Sequence, residues 1–337
     1  MILLDFTYIN SGGGLAIMNA IVNYINKNEL TREFHFLVDK RNFIHLKGKE
    51  IQTVINNSEK DRLQFYFKNR KSFKSIFCIA NVPPPLHQKS KTLIFFHNEL
   101  LLVPSNSEIS FLEKAIFRLK KLYINFLNHK GYQWVVQTCH IQHKLSNGLG
   151  ISKKKVMIAP IFREFELINK HIKEDYFIYP TSNKKHKNNL RLIKAFIMAA
   201  KEVSIPIYLE ITLTKMELDK IIRTIIPSNL KIISLGTLPH NELISRISRS
   251  KFLIFPSLVE SFGLPLIEAI QNGCKVLASD LEYVNEIIEP SLVFDPYSVK
   301  SISEVIKKAL LDNSLKKSKL IVSNKLEMII NQLIQEK

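Results

Sequence analysis

The sequence predicts an α/β protein made of two doubly wound domains, each built on a mainly parallel sheet. Three observations carry this. Strand-length apolar runs alternate with helical patterns along the chain, the ordering that produces parallel sheets. The alternation pauses once, where residues 162–173 turn polar without a clear strand, and then restarts. The length of 337 residues, 46% of them hydrophobic, is enough for two cores.

The elements follow in order. Ile2–Ile9 opens the chain as a strand, and the periodicity of Leu15–Asn26 is that of a helix. Phe34–Val38, Ser75–Ile79, Thr92–Phe96 and Trp134–Thr138 are further strands, with Phe111–Leu127 a second helix. His140 and His143 flank Cys139's helix-like surroundings at a spacing of three, but no third metal ligand accompanies them. The second half restarts with strand Tyr176–Tyr179. In helix Asn189–Val203 the apolar residues Leu190, Ile193, Phe196, Ile197 and Ala200 keep one face. Strand Ile207–Ile211, helix Lys215–Ile225, strand Lys231–Leu235, helix Asn241–Ser250 and helix Ser298–Leu311 complete the pattern around one more βαβ unit. Residues 1–165 and 174–315 are the expected domains, facing each other across a cleft.

Bulk properties narrow the function classes. No apolar run approaches the roughly 20 residues that span a bilayer, and Met1-Ile2-Leu3-Leu4-Asp5 lacks the basic start of a signal peptide. Cys78, Cys139 and Cys274 have neither disulfide nor zinc spacing, which fits a reducing cytoplasm and three buried thiols. The net charge is +18. Anionic membranes and phosphorylated substrates both match that sign, as does a genome rich in lysine codons. No helix-turn-helix, zinc or RNA-binding signature accompanies it, so nucleic acid is excluded as a partner. Phe111–Lys130 mixes Phe, Leu, Ile and Tyr with Lys114, Arg118, Lys120, Lys121 and Lys130. It reads as a basic amphipathic helix, suited either to an anionic bilayer or to a core with a solvated basic side.

The most informative stretch is Pro256-Ser-Leu-Val-Glu260-Ser-Phe-Gly-Leu-Pro-Leu-Ile-Glu268. Phe252–Phe255 before it is a buried strand, Pro265 suits a first helical turn, Gly273 suits the helix stop, and Lys275–Ser279 is the next strand. A loop at the carboxyl end of a parallel strand is where open α/β sheets bind ligands. Glu260 in that loop and Glu268 in the expected first turn can face one site, beside N–H groups that attract phosphate. Acidic residues also occur near helix starts simply to complement the dipole. Ser11-Gly12-Gly13-Gly14 offers a second close backbone approach after the first strand, without the G-x-G-x-x-G dinucleotide pattern. His97 follows Leu93–Phe96 at a strand end, and Lys187 sits in the polar run Asn183–Asn188.

Residues 256–280 resemble the donor-binding signature of retaining GT-B glycosyltransferases, family 4. Glu260, Phe262, Gly263, Leu264, Pro265, Glu268, Ala269, Gly273, Val276 and Ser279 match it, with Ser261 where many members have glycine. The resemblance implies two Rossmann-like domains, an acceptor-binding first and a nucleotide-sugar-binding second. It also implies a C-terminal helix, residues 316–337, returning to the first domain. The reaction implied is transfer from a nucleoside-diphosphate sugar to a hydroxyl acceptor, by same-face attack with retention. Glu268 would bond the ribose. Glu260 and the backbone of Phe262, Gly263 and Leu264 would contact sugar and phosphate, and Leu238 lies in the loop that packs on the base. Lys187 would hold the leaving diphosphate, with His97 and Gly12, Gly13 and Gly14 on the other wall. The family's diphosphate-binding arginine is missing near Thr181 and Ser182, which leaves open whether Lys184 or Lys185 substitutes. Asp280-Leu281-Glu282 falls in a variable loop, so neither an essential metal nor another cofactor is expected. Relatives that build envelope polysaccharides commonly use saccharide or lipid-linked acceptors, so the resemblance implies a cytoplasmic protein that can associate peripherally with the inner face of the plasma membrane. The alternatives are a non-catalytic sugar-nucleotide-binding subunit and a GT-B epimerase, whose pattern differs from residues 256–280.

Overall fold

The structure is a computed structural model that describes residues 1–10, 12–41, 52–102, 111–164 and 172–335. It divides into two compact units, Met1–Arg163 with Ser323–Lys337, and Glu164–Val322. The polar stretch expected as a linker lies largely outside the described residues.

The first unit runs β1 (Ile2–Asp5), α1 (Gly12–Lys27), β2 (Phe34–Asp39), β3 (Gln52–Ile55), α2 (Glu59–Lys68), β4 (Ser75–Cys78), β5 (Lys91–Phe95), α3 (Phe111–Leu127), β6 (Gln133–Val136), α4 (Cys139–Leu149) and β7 (Val156–Ile158). Its seven strands form one parallel sheet in the order β3-β2-β1-β4-β5-β6-β7. The order reverses between β1 and β4. Side chains alternate across this sheet into two cores. Ile2, Leu4, Phe36 and Phe95 point to one, and Leu3, Leu37, Ile94 and Trp134 to the other.

β1 stops at Asp5 rather than Ile9 because the Asp5 carboxylate turns the chain, accepting the Thr7 N–H at 3.0 Å, and Tyr8 takes a left-handed φ of 73°. α1 starts at Gly12, before the expected Leu15, since glycines carry no side chain to show a period. Cys78 and Cys274 are buried, but Cys139 is exposed, contrary to expectation. It is the first residue of α4, whose buried face is formed by Ile141, Leu145 and Leu149.

The second unit runs β8 (Glu174–Tyr179), α5 (Asn189–Glu202), β9 (Ile207–Ile211), α6 (Lys215–Ile221), β10 (Leu230–Ser234), α7 (His240–Arg249), β11 (Ser250–Phe255), α8 (Leu264–Gln271), β12 (Lys275–Ser279), α9 (Glu282–Ile287), β13 (Ile288–Glu289), β14 (Leu292–Phe294), α10 (Val299–Leu311) and β15 (Lys319–Leu320). Six strands form a parallel sheet, β10-β9-β8-β11-β12-β14. This order reverses between β8 and β11. Phe177 on β8 stacks on Phe252 of β11 at 4.9 Å and meets Phe196 of α5 edge-on, so the reversal point is also the centre of the core.

The C-terminal helix α11 (Leu326–Ile334) packs into the first unit through Leu326, Ile329, Ile330 and Leu333, beside Ile2 and Ile21. It begins ten residues later than the expected residue 316 because the preceding segment is held by the second unit. β15 pairs antiparallel with β13, and the Ser318 hydroxyl accepts the N–H groups of Val276 at 2.8 Å and Ser291 at 3.0 Å.

Candidate active site

In the second unit the site grows from the two strands at the reversal. The loop after β8 ends in a single 3-10 turn, Lys185–Lys187, and Asn188 follows in the left-handed region with φ 61°. Asparagine tolerates that backbone, and here its buried amide also fixes the loop. Its Nδ2 donates to the carbonyls of Pro256 at 3.2 Å and Pro296 at 2.7 Å. The Leu258 N–H donates to the His186 carbonyl at 2.8 Å, and the Tyr179 hydroxyl to the Lys187 carbonyl at 2.6 Å. The loops after β8 and β11 are therefore tied together by backbone. The Lys187 ammonium forms an ion pair with the Glu260 carboxylate, and both side chains are more than four-fifths shielded from solvent. Lys184 and Lys185 are exposed. Thr181, at the place of the missing arginine, is bonded to Thr212 and Asn189.

Glu268 lies in the second turn of α8, not the first, because the helix starts at Leu264. It is buried, and its carboxylate accepts a hydrogen bond from His240 Nε2 at 2.8 Å. With the carboxylate ionised, the imidazole nitrogen is the donor. Sequence reasoning missed this partner. Its one sign was a histidine opening α7 directly after the Gly236–Pro239 turn, which contains the half-buried Leu238. Gly263 sits at the helix N-cap with φ 74°, and a Cβ there would come within 3.0 Å of Leu266 Cδ1. Phe262 beside it is buried, so the N–H groups of Phe262, Gly263 and Leu264 are carried on a fixed backbone.

The first unit brings together the glycine loop and His97. A Cβ on the buried Gly14 would lie 3.2 Å from His97 Nε2, so the absent side chain at residue 14 makes room for the imidazole. Gly12 and Gly13 are exposed at the start of α1. The His97 N–H donates to Asn81 Oδ1 at 2.7 Å, joining the loops after β4 and β5. Burial pushes the His97 imidazole down to about 4, against a smaller opposing pull from the Ile79 backbone. It is neutral at physiological pH. His140 bonds Glu99 at 3.0 Å instead of pairing with His143. Asp280 accepts from Asn285 at 3.3 Å and lines a pocket of about 340 Å³ with Asp295 and Tyr297.

This geometry can hold a diphosphate. A cation and backbone N–H groups at a parallel sheet's reversal point are what such a ligand needs. Residues 162–327 match the family "Glycosyl transferases group 1". That segment, just under half of the chain, is similar to group 1 glycosyltransferase domains. The chain is 30% identical over 155 residues to the serotype-specific mannosyltransferase WbdA of Escherichia coli, covering 44% of this chain and 19% of that protein. It is 25% identical over 201 residues to the O-antigen chain mannosyltransferase RfbU of Salmonella typhimurium, covering 59% and 56%. The match thus spans about a fifth of WbdA and little more than half of RfbU. Among solved structures it is similar to WaaG, a glycosyltransferase involved in lipopolysaccharide biosynthesis, with a TM-score of 0.62, 16% identity, and 93% and 91% of the two chains covered. The fold is GT-B.

Proposed function

We propose that the chain is a retaining glycosyltransferase acting in the synthesis of a cell-envelope polysaccharide. It moves a sugar from a nucleoside-diphosphate sugar to a hydroxyl of a saccharide or lipid-linked saccharide. It works at the cytoplasmic face of an anionic membrane and uses no essential metal. The observation that carries this reading is the Lys187–Glu260 pair, contributed by two loops 73 residues apart and set at the reversal point of the second sheet. A partly shielded lysine held by a carboxylate is poised for exchange. An arriving diphosphate takes over the ammonium, and Glu260 is released to accept hydrogen bonds from the donor sugar.

In the reaction the acceptor oxygen bonds to the anomeric carbon as the bond from that carbon to the phosphate oxygen breaks. The leaving phosphate takes the acceptor's proton on the same face, and Lys187 neutralises the charge that grows there. Glu268, steadied by His240, accepts the ribose hydroxyls. The N–H groups of Phe262, Gly263 and Leu264 face phosphate and sugar, and the Leu238 loop backs the base. The neutral His97, with Gly12, Gly13 and Gly14, offers hydrogen bonds to the sugar without adding charge.

The test is a panel of nucleotide sugars scored for thermal stabilisation and then for single-turnover transfer, since a ligand that binds only the native state raises its melting temperature. Because the relatives are mannosyltransferases, mannosyl donors come first. Stabilisation with neither transfer nor hydrolysis of any donor would favour the non-catalytic subunit instead. EDTA should leave transfer unchanged. Loss restored by Mg²⁺ or Mn²⁺ would refute the metal-free assignment.

A further inference from the structure

Lys173 closes the polar stretch and stands directly before β8, half-buried. It lies at the amino end of that strand, while the loop with Lys187 leaves the carboxyl end. Its ammonium is turned into the second unit. It donates to the carbonyls of Asn272 at 2.7 Å, Ser250 at 3.0 Å and Ile247 at 3.4 Å, with Cys274 Sγ at 3.6 Å beside them. An ammonium has three N–H groups, so three carbonyls use all of them. The stem lies against Gly273, where a Cβ would come 3.7 Å from Lys173 Cε.

Two of these carbonyls belong to the ends of helices, where partners within the helix run out. At the end of α8 the N–H groups of Gly273 and Cys274 return to Ile270 at 2.9 Å and Ala269 at 2.8 Å, with Gly273 at φ 76°. The Asn272 N–H and Nδ2 both donate to the Glu268 carbonyl, at 3.1 and 2.8 Å. The Asn272 carbonyl is then left for Lys173. At the end of α7 the Ile247 carbonyl also accepts from the Cys274 thiol at 3.0 Å. Burial pushes that thiol up to about 11, against a smaller pull from Lys173, so it stays protonated and a donor. One cation thus serves the negative ends of two helix dipoles. The third carbonyl, of Ser250, opens β11 where its register with β8 shifts, and such a shift takes a carbonyl out of the ladder.

These contacts form a closed ring that passes through the candidate site. From Lys173 it runs to the Asn272 carbonyl, through Asn272 to the Glu268 backbone, and from the Glu268 carboxylate to His240 at 2.8 Å. His240 opens α7, and the same helix returns to Lys173 at Ile247. Seven residues of helix separate those two points, about 10 Å. A helix pinned at one point can swing about it, and one pinned at both ends cannot. With only the His240 contact, α7 could move and take the imidazole off the carboxylate.

We infer that Lys173 is a positioning residue for the nucleotide: by holding the ends of α7 and α8 together it fixes where the Glu268 carboxylate and His240 stand. It acts through Asn272 and α7, from the far end of the sheet, and not by touching a ligand. The consequence for nucleotide binding rests on the proposed function; the brace itself does not.

Lys173→Met keeps the stem and removes the donors, and Lys173→Arg keeps a charged donor. Hydrogen exchange in the free protein tests the brace. In Lys173→Met it should rise about tenfold at Asn272, and also at Leu243 and Leu266, whose amides bond Pro239 and Gly263 at the starts of α7 and α8. Lys173→Arg should restore most of the protection. A rise confined to the neighbours of Lys173, or an equal rise throughout the second unit, overturns the positioning role. Calorimetric titration with GDP and UDP tests the consequence, using whichever the wild type binds more tightly. Lys173→Met should weaken binding about fivefold and Lys173→Arg less than about twofold. In a His240→Ala background the ring is already open, so Lys173→Met should add less than about twofold. Additive losses, or unchanged affinity in Lys173→Met, overturn the assignment. If Lys173→Met does not fold, Asn272→Ala opens the ring beside Glu268 and is judged by the same outcomes. A wild type that binds neither nucleotide, with the remote exchange still raised in Lys173→Met, would sink the donor reading and leave the brace standing.

Discussion

The two candidate loops regions differ in what they bring. The second unit supplies charge: Lys187 and Glu260 are paired at the reversal of its sheet, and Glu268 holds His240 nearby. At the glycines of the first unit the described partner is uncharged: Gly14 is emptied to seat His97, whose burial keeps it neutral. The proposed function gives this contrast a meaning, since the two parts of a sugar donor have different needs. A diphosphate gains negative charge as it leaves, and a cation that meets it there stabilises the transition state more than the ground state. A sugar ring needs hydrogen bonds in fixed directions, and a charge beside it would only raise the cost of burial.

The largest effect should come from the charged half. Lys187→Ala removes the only one of the three loop lysines bonded to Glu260, and also leaves that shielded carboxylate without its cation. Turnover should fall by about 10²–10³-fold, as on removing one preorganised transition-state contact. Donor affinity should fall less. Steady-state kinetics with the cognate donor decide it, and a variant with near wild-type turnover would move the role to Lys184 or Lys185.

The neutral half should also show itself in stability. His97 titrates near 4 in the fold and near 6.5 when unfolded, so between those values the unfolded chain binds the proton first. Its contribution is complete above pH 6.5 and is lost as the pH falls toward 4, at most about 3 kcal/mol. Urea midpoints should drop across this window, and His97→Gln should flatten that part of the profile. An unchanged profile would mean that other groups control acid stability.

Much of this contrast was legible in the sequence, and the reasons are physical. Phe252–Phe255 and Lys275–Ser279 are central strands buried on both faces, so they read as unbroken apolar runs. Pro265 marked a helix start because it lacks an N–H. β3 and α2 left no such trace. β3 is a partly exposed edge strand, and α2 reads Glu-Lys-Asp-Arg-Leu-Gln, its core contacts made by Arg62, Phe65 and Tyr66. Nor could periodicity choose among Lys184, Lys185 and Lys187, since a single 3-10 turn and the left-handed Asn188 settle which one meets Glu260. The His240–Glu268 contact spans 28 residues and two helices, and only the packed fold brings it together.

That contact makes the next test. Glu268→Gln removes a charge-assisted acceptor, worth roughly 1.5–3 kcal/mol, so nucleotide affinity should weaken about tenfold or more. His240→Ala should weaken it less, because it touches the carboxylate and not the nucleotide. Calorimetric titration with the nucleotide checks both. Unchanged affinity in Glu268→Gln would take the ribose role from this residue. A larger loss in His240→Ala than in Glu268→Gln would make the histidine the contact.

The finest distinction lies between two glycines. Gly263 is needed for its backbone: at φ 74° an alanine is strained by about 1–2 kcal/mol, and its Cβ would also crowd Leu266 Cδ1 at 3.0 Å. Gly14 is needed for its space: its φ is not in the left-handed region, and an alanine is tight only against His97 Nε2 at 3.2 Å, with Ile9 Cγ2 in ordinary contact at 3.6 Å. Gly263→Ala should therefore lower the unfolding midpoint in any background. Gly14→Ala should cost less than about 1 kcal/mol, and the loss should vanish when His97 is replaced by the smaller alanine, because the clash has then lost its second partner. A double-mutant cycle by denaturant titration measures the coupling. Additive losses for Gly14→Ala and His97→Ala would separate the glycine loop from the histidine, and the neutral half of the comparison would no longer act as one site.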